Sequence, residues 1–525
     1  VFEKGGFDVV IGNPPYVQLQ SMGAMSDAYA KCGFETYNKS ADLYCLFTER
    51  GYGLLKPGGL QSFIMPNKWM LVAYGKELRR FMAKTDLQQI LNFGDIQFFE
   101  EATIYVCIFV TRKADVRGDE VQALSLNKKT YHGDFLHEVQ EQLAVYPADT
   151  FGETEWSIQP KVHFDILQKM QQGLALKDLP ISINYGIKTG YNDAFFIDEA
   201  TKDRLIAEDA KSAELIRPLL RGRDILSWRP QWDGQYLLFI PWHFPNHLDN
   251  TIQGASTKSE SDFKEKYPAI YDYLSNFKDK LSARNKAETG IRYEWYALQR
   301  WAADYYLEFS KPKIMYPNMT SLFPFIYDEK GFYGNDKTFM ITANDDTVNL
   351  KFLTAAFNSK LCKLWIWYNC PELQGGTREI RKVYFENFRI PIPSEEKQKS
   401  LAEMTDLQNL QVSQLQENRN RFLRRLRDNF EGVKITTALQ TFDELSFGAF
   451  VLEMKKQKIK LSPMEQDQWE EYFDHYTAAC KELTTRIAST DREIDLSVYR
   501  LYGLTYEEVK TVDPEMPITK EEYEQ

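Results

Sequence analysis

Near the start of the chain, Asn13, Pro14, Pro15 and Tyr16 follow the apolar run Phe7–Gly12 without a gap. These residue types at this spacing suit one chemical task. An exocyclic amine on a nucleobase is a poor nucleophile, because its lone pair is delocalised into the ring. Acceptors that draw both N–H hydrogens out of plane make the nitrogen more tetrahedral and more reactive. Asn13 offers a side-chain carbonyl that accepts without adding charge. Pro14 offers a backbone carbonyl, and two successive prolines hold it in a fixed direction. Tyr16 offers an aromatic face on which a base flipped from a duplex stacks, worth ~1–3 kcal/mol. A methyl group from a sulfonium donor then needs mostly orientation and polarisation from the protein. Without any function, the same four residues make a rigid strand-exit turn with Tyr16 packed locally.

A loop of this kind belongs at the carboxyl edge of a parallel sheet, where such sheets bind ligands. The expected elements fit. Asp8–Ile11 reads as a buried, continuously apolar strand, and Leu60–Met65, Leu87–Phe93 and Thr103–Thr111 as further strands. Asp42–Leu55 and Gly75–Met82 read as helices, the first stopped by a turn at Lys56-Pro57-Gly58-Gly59. Residues 1–140 are therefore expected to form an α/β sheet with right-handed crossovers, a partial Rossmann-like sheet. Residues 150–393 are dense in aromatics, Pro and Gly, with strand-like runs at Tyr236–Ile240, Lys313–Tyr316 and Phe339–Thr342. They read as a mixed α/β domain with long loops, ending in the linker Ile390-Pro391-Ile392-Pro393. Residues 394–525 read as helical. Leu401, Met404, Leu407 and Leu410 open one amphipathic helix; Trp469, Tyr472, Phe473, Tyr476, Cys480, Leu483 and Ile487 line a second. Together they predict a coiled-coil-like hairpin, followed by a solvated acidic tail from Glu507 to Gln525.

The length of 525 residues implies two to four domains, and 43% hydrophobic with 14% aromatic content supplies their cores. No apolar run approaches the ~18–20 residues needed to span a bilayer. The N-terminus lacks a secretion signal, the six cysteines are scattered, and the histidines show no metal spacing. The expectation is a cytoplasmic protein with reduced thiols, no membrane segment and no metal site. A net charge of −11 counts against nucleic-acid binding as a whole, but basic residues cluster locally. Arg221 and Arg223, flanking Gly222, are candidates for phosphate or guanine contact. Lys188 and Thr189 lie between Gly186 and Gly190, whose small size would let the backbone approach DNA closely. Arg421, Arg424, Arg425 and Arg427 share a helical face that is either phosphate-binding or simply solvated. Asp443 with Glu453 and Lys455 imitates a metal-dependent nuclease pattern, although the charge run Lys455–Lys460 favours a solvated segment.

Taken together, Phe7–Tyr16 closely resembles motif IV of TaqI-type adenine-N6 DNA methyltransferases. The likeness continues through Asp42-Leu43-Tyr44, Lys56–Gly59 and Met65-Pro66-Asn67-Lys68-Trp69. Gly186–Phe196, Leu215–Ile225, Lys311–Tyr316, Phe385–Pro393 and Val498–Leu504 resemble the target-recognition domain and C-terminal region of type IIG restriction–modification enzymes. The resemblance implies S-adenosylmethionine as cofactor and double-stranded DNA as partner. It makes Asn13, Pro14, Pro15 and Tyr16 catalytic, and places Tyr105 beside the flipped base. In that family a glycine-rich cofactor loop and an acidic ribose-binding residue precede the motif IV strand, and a nuclease domain precedes both. Only twelve residues precede Asn13. The expectation is thus a C-terminal fragment lacking the N-terminal methyltransferase and nuclease portion, inactive alone, with Asp8–Ile11 left as an apolar edge. Two alternatives stand beside this reading: a non-catalytic specificity module or phage-defence subunit with a vestigial loop, and a methyltransferase acting on a protein glutamine amide.

Overall fold

The computed structural model describes residues 5–94, 96–97, 104–126, 134–284, 292–373 and 376–524. The chain divides into two units, residues 1–168 and 169–525.

The first unit is built on a six-stranded mixed sheet of β1 (Phe7–Gly12), β2 (Leu55–Pro66), β3 (Asp86–Asn92), β4 (Val106–Arg112), β5 (Glu120–Ser125) and β6 (Ala144–Pro147). Its order is β1-β2-β4-β3-β5-β6. β1 runs parallel to β2, and β3 parallel to β5, but β4 lies antiparallel between β2 and β3. The expected α/β sheet is present, with β4 inserted antiparallel between the parallel-running β2 and β3. β3 and β4 follow one another in the chain and pair antiparallel as direct neighbours.

Among the described residues β1 is hydrogen-bonded on one side only, and Phe7, Val9 and Ile11 are 37, 56 and 79% exposed. Asp8–Ile11 is thus an apolar edge strand rather than a strand covered on both faces. The Lys56–Gly59 turn is a bulge within β2: pairing jumps from Phe7–Leu55 to Val9–Leu60, and Gly58 adopts a φ of +81°. The helix Tyr44–Gly53 packs its buried face, including Tyr44, Cys45 and Thr48, over this sheet. There Gly51 lies so close to the Gln61 amide that a Cβ would stand 2.4 Å from it.

The second unit contains β7 (Leu174–Ala175) to β18 (Arg389–Ile390), mostly in two four-stranded sheets. One holds β9 (Phe196–Ile197), β10 (Ile216–Leu220), β11 (Tyr236–Leu238) and β15 (Tyr333–Gly334). The other holds β8 (Ile181–Tyr185), β12 (Lys313–Pro317), β14 (Ile326–Asp328) and β16 (Thr338–Ala343). β13 (Met319–Thr320) pairs with β17 (Arg378–Glu379). In β12 the Lys313 ammonium is fully buried against Asp328 at 2.6 Å, and it also donates to the Phe309 carbonyl at 2.6 Å.

Two long helices, Glu395–Asn429 and Pro463–Leu501, pack antiparallel within this unit. The second uses the aromatic stripe as expected, burying Phe473, Cys480 and Leu483. The first uses only the start of its expected stripe: Leu401 is buried, but Leu407 and Leu410 are 45 and 54% exposed, while Thr405, Gln408 and Gln411 are buried. Polar partners explain the rotation. Thr405 donates to the Lys351 carbonyl, Gln408 to that of Ile487, and Thr490 donates to the Gln411 side chain. Nor is Glu507–Gln525 a solvated tail. Val509, Met516 and Tyr523 are buried, and the Tyr523 hydroxyl donates to the Leu504 carbonyl at 2.9 Å.

Removing one member of the Lys313–Asp328 pair strands a buried charge, so Asp328→Ala is expected to destabilise the second unit by roughly 3–5 kcal/mol in a urea melt. A pH effect is expected at Asp495, whose carboxylate accepts the Lys360 backbone N–H at 2.8 Å. Burial lifts this carboxyl from 3.8 to about 7. At low pH it is protonated in both folded and unfolded chains and costs nothing. As pH rises the unfolded chain ionises first, so stability falls between those two values and then levels off. Asp495→Asn keeps the acceptor and removes the penalty. Its gain in melting temperature over the parent is expected to be clearly larger at pH 8 than at pH 5.

Candidate functional site

The carboxyl ends of β1, β2, β3 and β5 and the start of β4 lie along one edge of the first sheet. Gly12 pairs with Phe63, so Asn13–Tyr16 leaves β1 beside the last residues of β2. Asn13 is exposed and Pro14 buried, which anchors the loop while leaving the amide open. Tyr16 is half-buried; its hydroxyl donates to the Ile64 carbonyl at 3.3 Å and its ring meets Tyr44 edge-on at 6.4 Å. Burial raises the Tyr16 phenol further above its usual range, so it stays neutral. The chain after the loop is tied back to the start of the Tyr44–Gly53 helix, with Leu43 donating to Val17 and Leu19 to Ala41. Burial also raises the Asp42 carboxyl at this junction.

Tyr105, half-buried just before β4, falls on the same edge, and its carbonyl accepts the Asn67 N–H at 3.0 Å. Sequence reasoning passed over what ties this edge together. The Asn67 amide donates to the Asn92 side chain at 2.8 Å and to the Gly94 carbonyl at 3.0 Å, and Asn92 donates to Ser125. A polar residue at the end of each strand was the available signal. Arg79, 2% exposed, holds the segment after β2 by donating to the carbonyls of Trp69 and Val72.

In the second unit the four expected DNA-contact residues separate. Thr189 is 2% exposed, with its hydroxyl donating to Asn192 at 2.6 Å, so its side chain closes a turn. Lys188 is half-buried and its backbone bridges to Arg300. Gly186 makes its close approach to the protein itself: a Cβ there would lie 2.0 Å from the Asn335 carbonyl. Arg221 is consumed internally, donating twice to Asp224 at 2.7 and 2.9 Å and once to Asp233 at 2.8 Å. These carboxylates push its pKa up. Arg223 is the more exposed one, its side chain 75% exposed and only loosely paired with Asp224 at 3.9 Å. Both arginines border a cavity of about 550 Å³ that also takes in Met319, Leu322 and Lys337.

The nuclease-like acids are engaged elsewhere. Asp443 receives both arms of Arg419 at 2.8 Å, and Glu453 receives Thr436 and Lys456. Arg421, Arg424, Arg425 and Arg427 are exposed along the first long helix. Among the described residues no group of three or more His, Cys, Asp or Glu could hold a metal ion, and no helix is long and apolar enough to cross a membrane.

Residues 1–99 match the Eco57I restriction-modification methylase family, and residues 217–392 match the TaqI-like C-terminal specificity domain. Residues 394–498 match a domain of unknown function. The type II methyltransferase M.BstVI of Geobacillus stearothermophilus is 24% identical over 409 residues, covering 74% of this chain and 68% of that protein. M.XhoI of Xanthomonas vasicola is also 24% identical, covering 73 and 68%. The type II restriction enzyme and methyltransferase RM.Eco57I of Escherichia coli is 30% identical over 171 residues, 31% of this chain and 16% of that one. Among solved structures, the type IIL restriction–modification enzyme MmeI in complex with DNA has a TM-score of 0.42 at 13% identity. That alignment covers 98% of this chain and 57% of the MmeI chain. The chain thus spans about two thirds of the length of the curated methyltransferases and little more than half of that solved chain.

The two arginines should separate in a melt. Arg221→Ala leaves Asp224, 5% exposed, without its main partner, and is expected to cost roughly 2–4 kcal/mol. Arg223→Ala should stay within about 0.5 kcal/mol of the parent.

Proposed function

We propose that this chain, which joins a restriction–modification methylase segment to a TaqI-like specificity domain, serves the site-specific methylation of adenine N6 in duplex DNA. The observation that carries the reading is the placement of Asn13–Tyr16 at the carboxyl edge of the parallel pair β1–β2, with Tyr105 on the same edge. There the exposed Asn13 carbonyl and the Pro14 carbonyl accept the two amine hydrogens and direct the nitrogen lone pair outward. Uncharged acceptors suit this step, because a carboxylate would bind the amine more tightly without need. Tyr16, held by its hydroxyl bond to Ile64, keeps a fixed ring for the extruded base, and Tyr105 supplies a second aromatic surface. After transfer the amine carries an extra proton, which passes to water at this exposed edge.

We infer S-adenosylmethionine as the donor; when bound it supplies an electrophilic methyl group. The donor set present fits the amine side of this reaction: neutral oxygen acceptors and aromatic faces, with no nucleophilic thiol exposed beside them. Cys107, whose thiol acts electrostatically on the Tyr16 phenol, is fully buried and pushed up to about 12 by that burial, which suits it to packing and not to nucleophilic attack. Duplex DNA is the partner because the specificity domain occupies residues 217–392.

Asn13→Ala in the protein expressed from its own gene should lower methyl transfer to cognate DNA by about 10²–10³-fold while leaving DNA binding and melting temperature unchanged. Nucleoside mass spectrometry of the modified DNA should show N6-methyladenine. Undiminished transfer by the variant would mean the loop is vestigial, and N4-methylcytosine would overturn the choice of base.

A further inference from the structure

The geometry points to the cavity between three turns of the second unit as the base-reading surface, with Arg223 and Lys337 as its specificity-determining residues and Leu322 as its apolar contact. This rests on the reading of the chain as a DNA methyltransferase and assigns a role to residues on which that reading does not depend.

Two of the three turns are locked together by backbone contact, and the Asn318 N–H ties the end of β12 to them by donating to the Lys337 carbonyl at 2.8 Å. A Cβ on Gly222 would stand 2.8 Å from the Lys337 carbonyl and 3.5 Å from the Pro317 Cβ, so the Arg221–Asp224 turn, the end of β12 and the Asn335–Lys337 turn have no slack between them. The Asn335 side chain accepts the Lys337 N–H at 3.2 Å, and the Thr338 N–H and hydroxyl both return to the Asn335 carbonyl. The third turn follows β13. Thr320 accepts the Leu322 N–H at 3.0 Å, and Phe323, 5% exposed, holds a φ of +51° that a bulky residue adopts only when its surroundings impose it. The buried Phe323 ring anchors this bend, and its neighbour Leu322 is left 63% exposed.

The side chains presented on this rigid frame are of two kinds. Arg223 and Lys337 are cations with side chains 75 and 57% exposed. Leu226, Met319 and Leu322 are apolar and 40, 42 and 63% exposed. Solvent gives no reason to gather three open apolar side chains beside two cations. The edges of base pairs in a major groove do: guanine offers O6 and N7 to a guanidinium or ammonium, and thymine offers a methyl group.

Charge balance separates this from phosphate binding. Arg221 is paired with Asp224 and Asp233, and Lys337 lies 3.7 Å from Asp336, so the three cations are matched by three acids. Phosphate neutralisation needs uncompensated positive charge. A cleft without it contributes discrimination rather than general affinity. Arg221, which lines the same cavity, acts as a positioning residue: it neutralises the acids that would otherwise repel DNA and hold Arg223.

The experiment is methylation of a library randomised around a central adenine, read by sequencing, for the parent protein expressed from its own gene and for its Arg223→Ala, Lys337→Ala and Leu322→Ala variants. Each site is exposed, so folding is checked by an unchanged melt. The expected result is that Arg223→Ala and Lys337→Ala each relax one position of the recognised sequence, with preference for the cognate base there falling roughly 5- to 100-fold. Other positions stay enforced, and the slope of log affinity against log salt stays the same. Leu322→Ala should relax a neighbouring position. Uniform weakening on all sequences with a shallower salt slope would identify phosphate contacts and overturn the assignment, as would an unchanged preference. A parent protein that methylates no DNA would overturn the underlying methyltransferase reading as well, whereas a selective parent with indifferent variants overturns this inference alone.

Discussion

The site depends on one short ladder, the parallel pairing of Val9–Gly12 with Leu60–Phe63. A parallel pair has both carboxyl ends at the same edge, so the loop leaving β1 must emerge beside the segment leaving β2. That is why Tyr16 can reach the Ile64 carbonyl, and why Asn67 and Tyr105 come within reach of the same surface. The pairing survives an irregularity at Lys56–Gly59 because the bulge absorbs the extra residues before the functional end begins. Below it, Gln61 donates to the Thr48 carbonyl against Gly51, seating the Tyr44–Gly53 helix on the strand. Were the register to slip by one residue, Phe63 and Met65 would leave the core and the loop would lose its support.

The second unit meets a different constraint. Its binding surface is made of turns, which have no ladder to hold them, and rigidity comes from backbone packed directly on backbone. Gly186 against Asn335 and Gly222 against Lys337 are such contacts, in which any side chain would collide, and Gly334 seats the Thr338 hydroxyl in the same way. Charge is managed in the same economical way. Arg221 gives up its availability to solvent to hold Asp224 and Asp233, and Arg419 does the same for Asp443. Buried polar pairing also sets the helix seam, where Thr405, Gln408 and Gln411 displace Leu407 and Leu410 from the interface because each finds a specific partner.

The loop Asn13–Tyr16, the mixed α/β class and the two long helices were legible in the amino-acid sequence because each has a local cause. A double proline sets its own backbone direction, apolar runs set strands, and periodicity of three and four sets helices. The antiparallel insertion of β4 was not legible, since a strand looks the same in either direction. The packing of the acidic C-terminal segment was also missed: its charge is visible, but the partners that bury Val509 and Tyr523 are distant in sequence. Thr189 and Arg221 looked like DNA contacts by type and by their glycine neighbours, and proved to be committed to Asn192 and to Asp224 and Asp233.

The sequence by itself determined which groups exist and which short-range conformations they favour: an uncharged acceptor and two prolines after an apolar strand, arginines around a glycine, and two long helical stretches. Tertiary structure decided which of those groups remain available. Asn13 is exposed while Pro14 beside it is buried, and Arg223 keeps an open side chain while Arg221 pairs closely with the acids. Availability is what remains after every other partner has been matched, and those partners are brought together by the fold rather than by their positions along the chain.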